Sequence, residues 1–225
     1  MHAGLRQHAT PAIWLLATTA IVAIAWSAWR PVDYATWAFE LLPGAAAVLL
    51  LLWLAATGRY RFSAVVYLAC AAQLVVLAAG AKYTYAEMPL FNWLRDALDL
   101  SRNHSDRLGH FLQGVTPSLV ARELLLRRTS VRGLLANVLA VSVALAFSAC
   151  YEILEWLWVV MFYPNQGPEW LGHQGDVWDA QADMLMALCG GLFTVIVLAY
   201  WQNRQIAGFG EPAPDEGADC PAGPA

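Results

Sequence analysis

Charged residues are scarce in this chain. Of its 225 residues only 13% are Asp, Glu, Lys or Arg, whereas 59% are hydrophobic. A soluble domain carries about 25% charged residues, so a surface this poor in charge cannot face water over most of its area. This composition excludes a soluble globular domain, and the lipid bilayer is the expected partner. No nucleic-acid partner is expected, and the sequence does not indicate a protein partner.

Paired cysteines and lysine are also scarce. The chain has four cysteines and no C-x-x-C pair, so the spacing indicates no disulfide framework. Three of the cysteines fall in apolar runs, where a free cysteine behaves as a small core residue. Lys82 is the single lysine among thirteen basic residues, and this arginine bias is a weak indication of a GC-rich bacterial source.

Basic residues are absent from segment 164–178, although it contains three glycines. A phosphate cradle normally offers Lys or Arg beside its glycines. Any phosphate bound there would therefore need a metal ion as a bridge.

Long apolar stretches fill most of the chain. A bilayer core of about 30 Å needs roughly 20 apolar residues in a helix. Six stretches meet this length, which predicts an all-α polytopic transmembrane helix bundle in residues 1–204, followed by a disordered tail in residues 205–225. The first stretch ends in Trp26 and Trp29 without a small-residue cleavage site, so we expect an uncleaved anchor. The expected spans are 11–29, 37–57, 62–81, 105–127, 133–162 and 179–201.

The segment between the third and fourth spans, residues 82–104, has a mixed pattern. Leu90, Leu94 and Leu98 recur at helical spacing, with charged residues between them. This pattern favours a short amphipathic helix on the membrane surface. A solvated connector is the alternative.

Basic residues in the short loops indicate the orientation. With the N-terminus inside, seven arginines lie on the cytoplasmic side and five basic residues outside, where acidic residues dilute them. We therefore expect a multi-pass protein of the bacterial inner membrane with both termini in the cytoplasm. The seven arginines are Arg6, Arg59, Arg61, Arg127, Arg128, Arg132 and Arg204.

Ionisable residues inside the expected spans carry the functional signal. Each costs about 3 kcal/mol in lipid unless it faces a partner or water. Three sets lie on single helix faces at spacings of three or four residues, and all three fall in the outer half of the bilayer. Gly190 continues the last face and would let another helix approach closely. The sets are Asp106 and His110; Glu152 and Glu155; and Asp176, Asp179 and Asp183.

So many carboxylates cannot all stay ionised in one low-dielectric pocket without a cation, because like charges raise one another's pKa. The pocket therefore binds a metal ion or holds protons. Oxygen ligands with one imidazole suit magnesium, manganese, iron or zinc, so a divalent ion is the expected cofactor. Glu155 and Asp179 are the candidate catalytic groups. The candidate metal ligands are Asp106, His110, Glu152, Glu155, Asp176 and Asp183.

Simpler explanations exist for several of these residues. Asp106 and Asp176 could cap helices, and Asp179 could favour the positive end of a helix dipole. Arg122 and Glu123, near the inner end of the fourth span, are expected to form a helix-end charge pair that reaches the cytoplasm.

Several longer motifs lie along the chain outside the tail. They are Tyr83-Thr84-Tyr85-Ala86-Glu87-Met88-Pro89-Leu90, Ser101-Arg102-Asn103, Asp106-Arg107-x-Gly109-His110, Arg122-Glu123, Tyr151-Glu152, Glu155-Trp156, and Gly175-Asp176-x-Trp178-Asp179-x-Gln181-x-Asp183-Met184. Together these motifs resemble those of the YjdF family of bacterial inner-membrane proteins, over nearly the whole chain except the tail. That resemblance implies a multi-pass membrane protein and transfers no biochemical activity. The order of polar helices is also loosely similar to VanZ-like membrane proteins, and this likeness transfers no role.

Three functions fit these observations. The first is a metal-dependent membrane enzyme that acts on a lipid-linked or envelope substrate. The second is a cation or proton carrier, although the inner half of the bundle offers few polar residues besides Gln73 to complete a route. The third is a non-catalytic membrane factor whose polar cluster holds the helices together.

Overall fold

The computed structural model describes residues 9–165 and 173–209. Within these residues the secondary structure is helical throughout, without strands, and a π-helical turn at Thr194–Leu198 joins the last two helices. Single 3-10 turns lie at Tyr85–Glu87 and His173–Gly175. The helices are α1 Ala9–Ala28, α2 Tyr34–Ala56, α3 Ala64–Tyr83, α4 Pro89–Ala97, α5 Ser105–Arg128, α6 Gly133–Phe162, α7 Asp179–Phe193 and α8 Ala199–Ala207.

The expected all-α polytopic bundle is confirmed. Five helical stretches are long and apolar enough to cross a membrane: α1, α2, α3, α6 and the continuous stretch Asp179–Ala207. The remaining expected span, α5, has 24 residues and is about 36 Å long at 1.5 Å per residue. Its polar residues keep it outside that group, and it packs against α3, α6 and α7 in the middle of the bundle. A polar helix is tolerated there because its neighbours cover it.

The turns between helices meet at two ends of the bundle. At one end the guanidinium of Arg127 donates to the carbonyl of Arg61 at 2.7 Å, and the amide of Val65 donates to Gln205 at 3.1 Å. We call this the basic end, defined by Arg59, Arg61, Arg127, Arg128, Arg132 and Arg204. The opposite end, which we call the acidic end, joins α1 to α2, α3 to α5, and α6 to α7.

Helices α5 and α7 pack at backbone contact. A Cβ atom on Gly190 would collide with the carbonyl oxygen of Phe111, and one on Gly114 would collide with that of Ala187. The expected close approach at Gly190 is thereby confirmed. This contact fixes the relative height of α5 and α7, and therefore of the acidic groups they carry.

Arg122 and Glu123 were expected to form a helix-end pair that reaches the cytoplasm, but both residues are buried within the bundle. Glu123 accepts hydrogen bonds from the backbone amide and hydroxyl of Ser63, at 2.9 and 2.6 Å, and pairs with Arg127. Arg122 turns the other way and donates to Asn137 and Gln202. The two charges were expected to pair with each other, but each has polar partners on other elements and helps to join α5 to them.

The ends of the expected segments differ slightly from the helices. The last helix continues to Ala207, beyond the expected boundary at residue 204, and residues 210–225 of the expected tail lie outside the described residues. Helix α4 occupies part of the expected surface segment and exposes Leu90 and Trp93. Its placement on the membrane surface stays a prediction.

Candidate metal centre at the acidic end

Three buried side chains from α5 and α7 converge near the acidic end. Asp106, His110 and Asp183 each offer one ligand atom, and these atoms all lie within 4.8 Å of one another. Nε2 of His110 is 3.5 Å from a carboxylate oxygen of Asp106 and 3.9 Å from one of Asp183. Asp106 and His110 share a face because they are four residues apart on α5. Asp183 joins them because the glycine contact brings α7 against α5.

These separations suit one metal ion. A tetrahedral ion about 2.0–2.2 Å from its ligands needs ligand atoms about 3.3–3.6 Å apart, and small side-chain movements would bring the observed atoms to that spacing. Two carboxylates and an imidazole form a donor set for magnesium, manganese, iron or zinc. Catalytic zinc sites likewise use three protein ligands, so this donor set would suit a catalytic ion.

Glu152 on α6 lies on the other side of the imidazole. Its Oε1 atom is 3.6 Å from Nδ1 of His110, and neither atom has a hydrogen-bond partner among the described residues. A carboxylate behind a metal-binding histidine normally accepts the second ring N–H and orients the ring. Glu152 therefore lies behind the ring of His110 and outside the group of three converging side chains, and its expected role as a ligand stays a prediction.

Two arginines hold the acidic residues at the start of α7. Arg102 contacts Asp179 and Asp176 at 3.0 Å, and Arg107 contacts Asp179 at 2.7 Å and Asp176 at 3.1 Å. Arg107 also forms an ion pair with Asp183. Asp176 and Asp179, expected as a metal ligand and a catalytic group, are thus engaged by arginines beside the three converging side chains.

The positive charge of these arginines reaches the neighbouring imidazole outside the bundle. Partial burial lowers the pKa of His104, and the charges of Arg102 and Arg107 lower it further.

Asp176 also accepts a hydrogen bond from the backbone amide of Trp178 at 2.9 Å. Helix α7 begins at Asp179 with Trp178 as its N-cap and no side-chain cap bond, so the expectation that Asp176 caps this helix is wrong.

Asn103 fixes the entry into α5. It is fully buried, and its side-chain amide donates to the carbonyls of Ala86 and Met88 and to Asn92. Its backbone amide donates to Gln174 at 2.8 Å. Hydrogen bonds therefore join the segment before α5 to the segment before α7. They help to fix the starts of the two helices that carry Asp106 and Asp183.

A cavity of about 300 Å³ begins at the centre and continues between α2, α3, α5 and α6. Asp106 and His110 line it together with Glu155 and Glu40, and an adjoining cavity of about 740 Å³ shares Asp106, Glu40 and Glu155. Glu155, expected as a ligand and catalytic group, lies on the cavity wall and outside the group of three converging side chains; both expected roles stay predictions.

Sequence reasoning missed Glu40 and Arg102 as members of the site. The hydroxyl of Tyr151 donates to Glu40 at 3.2 Å, which links α6 to α2. The available signal for Glu40 was its position as the one carboxylate in the apolar segment 37–57. No comparable signal marked Arg102, because its partners are more than 70 residues away in the sequence.

Comparisons with known proteins give a family and no solved relative. A family model described as "Predicted membrane protein (DUF2238)" matches residues 12–204. The chain is 44% identical over 179 residues to the Escherichia coli (strain K12) protein named inner membrane protein YjdF, and the match covers 79% of this chain and 84% of that protein. No solved structure matches the chain.

Proposed function

The chain belongs to the DUF2238 family of membrane proteins, as its resemblance to YjdF predicted, and we propose that it is a metal-dependent enzyme of the bacterial inner membrane. Its substrate would be a lipid-linked or envelope compound. The observation that carries this proposal is the convergence of Asp106, His110 and Asp183, of which Asp106 and His110 line the polar end of a cavity. A polar group buried in a membrane bundle marks a functional site more often than a structural one.

Asp106, His110 and Asp183 would hold one divalent ion, which when bound would supply Lewis-acid chemistry or an activated water molecule. Glu155 also lines the cavity and would take the proton of the attacking water, as a general base. Glu152 would act through His110 as a positioning residue.

The two acidic residues held by arginines receive a different role. Asp179 contacts two guanidinium groups at 2.7 and 3.0 Å. These two ion pairs occupy its carboxylate, so it is not placed to act as a general base. We propose that Asp176 and Asp179 anchor the start of α7 through Arg102 and Arg107.

A cation or proton carrier fits the bundle less well. A carrier needs polar groups along its whole route. Towards the basic end the cavity reaches Val120. The buried charges beyond it are engaged by polar partners, Arg122 by Gln202 and Glu123 by Ser63. These paired groups close the bundle at that end and favour a site entered from one side.

The orientation completes the proposal. The basic end carries six arginines, and by the positive-inside rule such an end is expected in the cytoplasm. Both termini would then be cytoplasmic, and the metal centre would serve the outer leaflet.

A conversion assay tests the function. Purified protein would be placed in vesicles of total bacterial envelope lipid with zinc, manganese or magnesium, and the lipids followed by mass spectrometry. We expect a metal-dependent lipid product with the native chain and none with Glu155→Gln. Conversion by Glu155→Gln at the native rate would refute its assigned role. The absence of a metal-dependent product with every ion would contradict the enzymatic proposal.

A further inference from the structure

The cavity beside the metal centre has one polar and one apolar end. Its polar end holds Asp106, His110 and Glu155, and its apolar end is lined by Val48, Leu51, Leu74, Leu77 and Val120. Ligand sites commonly have such apolar walls with a few polar groups that fix orientation. The volume of about 300 Å³ lies at the small end of the usual range for ligand sites, about 300–1,000 Å³.

The length of the cavity matches one leaflet. Its wall on α5 runs from Asp106 to Val120, and its wall on α2 runs from Glu40 to Leu51. At 1.5 Å per residue these walls are roughly 21 and 16 Å long. Half of a bilayer core is about 15 Å thick. A hydrocarbon chain with its head at the metal centre would therefore end near the bilayer midplane.

The cavity opens sideways towards lipid. Ala47, Leu50 and Phe147 line it and are also exposed on the outside of the bundle, with Leu50 and Phe147 about half accessible. Helix α2 packs on α1 and α3, whereas α6 packs on α5 and α7. Contacts that join α2 to α6 lie at the acidic end, where Phe39 stacks on Trp158 with ring centroids 4.9 Å apart. Below these rings the gap between α2 and α6 offers an entrance from the leaflet.

Polar atoms inside the cavity suit an amphiphile better than a pure hydrocarbon. The carbonyl oxygen of Gln73 and the hydroxyl of Thr116 are buried without hydrogen-bond partners among the described residues, and both side chains line the cavity. An unmet buried polar atom costs about 1–3 kcal/mol. A free glycerol hydroxyl would donate to the carbonyl oxygen of Gln73, and an ester carbonyl would accept a hydrogen bond from the hydroxyl of Thr116.

We propose that the substrate is a lipid of the leaflet at the acidic end. Its polar head lies at Asp106, His110 and Asp183, and one hydrocarbon chain occupies the cavity after entering between α2 and α6. This inference rests on the proposed function, because it places the head group at the metal centre. The lipid surroundings give little hydrophobic drive for the chain to leave the bilayer, so the head group supplies the affinity and the cavity selects for a single chain.

Photo-crosslinking tests this inference. The probe is phosphatidic acid with a diazirine midway along one acyl chain, added to the purified protein with bound metal. We expect crosslinks on Thr116, Pro117 or Val120, since α5 lies in the middle of the bundle and its cavity face is reached through the opening. Lipids on the outside of the bundle would label α1 and the outer face of α6 and leave those three residues unlabelled.

A matched pair of variants locates the entrance. Ala46 and Ala47 are both exposed on α2, but only Ala47 lines the cavity. Ala47→Trp would fill the opening and reduce the labelling of α5 at least tenfold, whereas Ala46→Trp would leave it unchanged. Because both positions face lipid, both variants are expected to fold.

The outcomes separate this inference from the proposed function. Missing labels on α5 in a protein that holds its metal, or equal labelling in the two variants, would overturn the lipid-chain inference and leave the metal enzyme standing. Labels on α5 that disappear in Ala47→Trp would support the inference even if metal analysis removed the enzymatic proposal.

Discussion

At the scale of single residues, Arg107 has the most demanding position. Its guanidinium pairs with Asp183, which is 2% exposed, and with Asp179 at 2.7 Å. Removal of one partner of a buried ion pair costs about 3–5 kcal/mol, because the remaining charge stays buried without compensation. The arginine thus compensates the negative charge of the buried carboxylates of Asp183 and Asp179.

Substitution Arg107→Met is expected to lower the midpoint of thermal unfolding in detergent. A loss of about 3 kcal/mol corresponds to about 10 °C in a chain of this size. Arg95→Met is the matched control, since Arg95 lies at the same end in an exposed pair with Asp96, and such surface pairs contribute about 0–1 kcal/mol. Equal midpoints for the two variants, measured by tryptophan fluorescence, would show that the Arg107 contacts add no stability.

Single residues were also where the sequence was most informative. The spacing of Asp106 and His110 on one helix face predicted two members of the centre, because a helix has 3.6 residues per turn. Asp183 was predicted by its depth in an apolar segment. The role of Arg102 could not be predicted, since an arginine before a helix in sequence carries no sign of the distant aspartates that it contacts.

At the scale of elements, the contact of α5 with α7 sets the geometry of the centre. Gly114 and Gly190 face the backbone of the opposite helix, so neither position has room for a methyl group. Gly191, one residue further along α7, is less tight: a Cβ there would come 3.1 Å from the hydroxyl of Ser118. The three glycines therefore offer a graded test of how the helix contact affects metal binding.

Gly190→Ala and Gly114→Ala are each expected to separate α5 from α7 and lower the metal content at least several-fold. Gly191→Ala is the milder control, because the serine hydroxyl can rotate away. Metal content and thermal midpoint would be measured together on all three variants. If Gly190→Ala retained native metal content with a native midpoint, the close contact would not be what holds His110 and Asp183 together.

Elements were predictable from the sequence to different degrees. The apolar helices follow from length and hydropathy, because lipid requires about 20 apolar residues for a span. The position of α5 at the centre does not follow from its own sequence, which is too polar for a lipid-facing helix; it depends on the neighbours that cover it. The same holds for Glu123, whose partner Ser63 lies 60 residues earlier.

At the scale of the whole molecule, the two ends of the bundle differ in charge and in the polar groups that they bury. The basic end is closed by buried pairs such as Glu123 with Arg127. The acidic end gathers the converging side chains of Asp106, His110 and Asp183, the two arginines and the polar end of a cavity. This division fits the proposed site that takes its substrate from one leaflet.

Metal analysis of the purified chain tests the central claim most directly. The native protein would be compared by elemental mass spectrometry with a His110→Ala, Asp183→Ala variant and with His104→Ala, which removes an exposed imidazole at the same end. We predict close to one divalent ion per native chain, the same content in His104→Ala, and a loss of at least tenfold in the double variant. No metal in the native protein after growth with zinc, manganese, iron and magnesium, or equal metal in all three proteins, would contradict the metal centre.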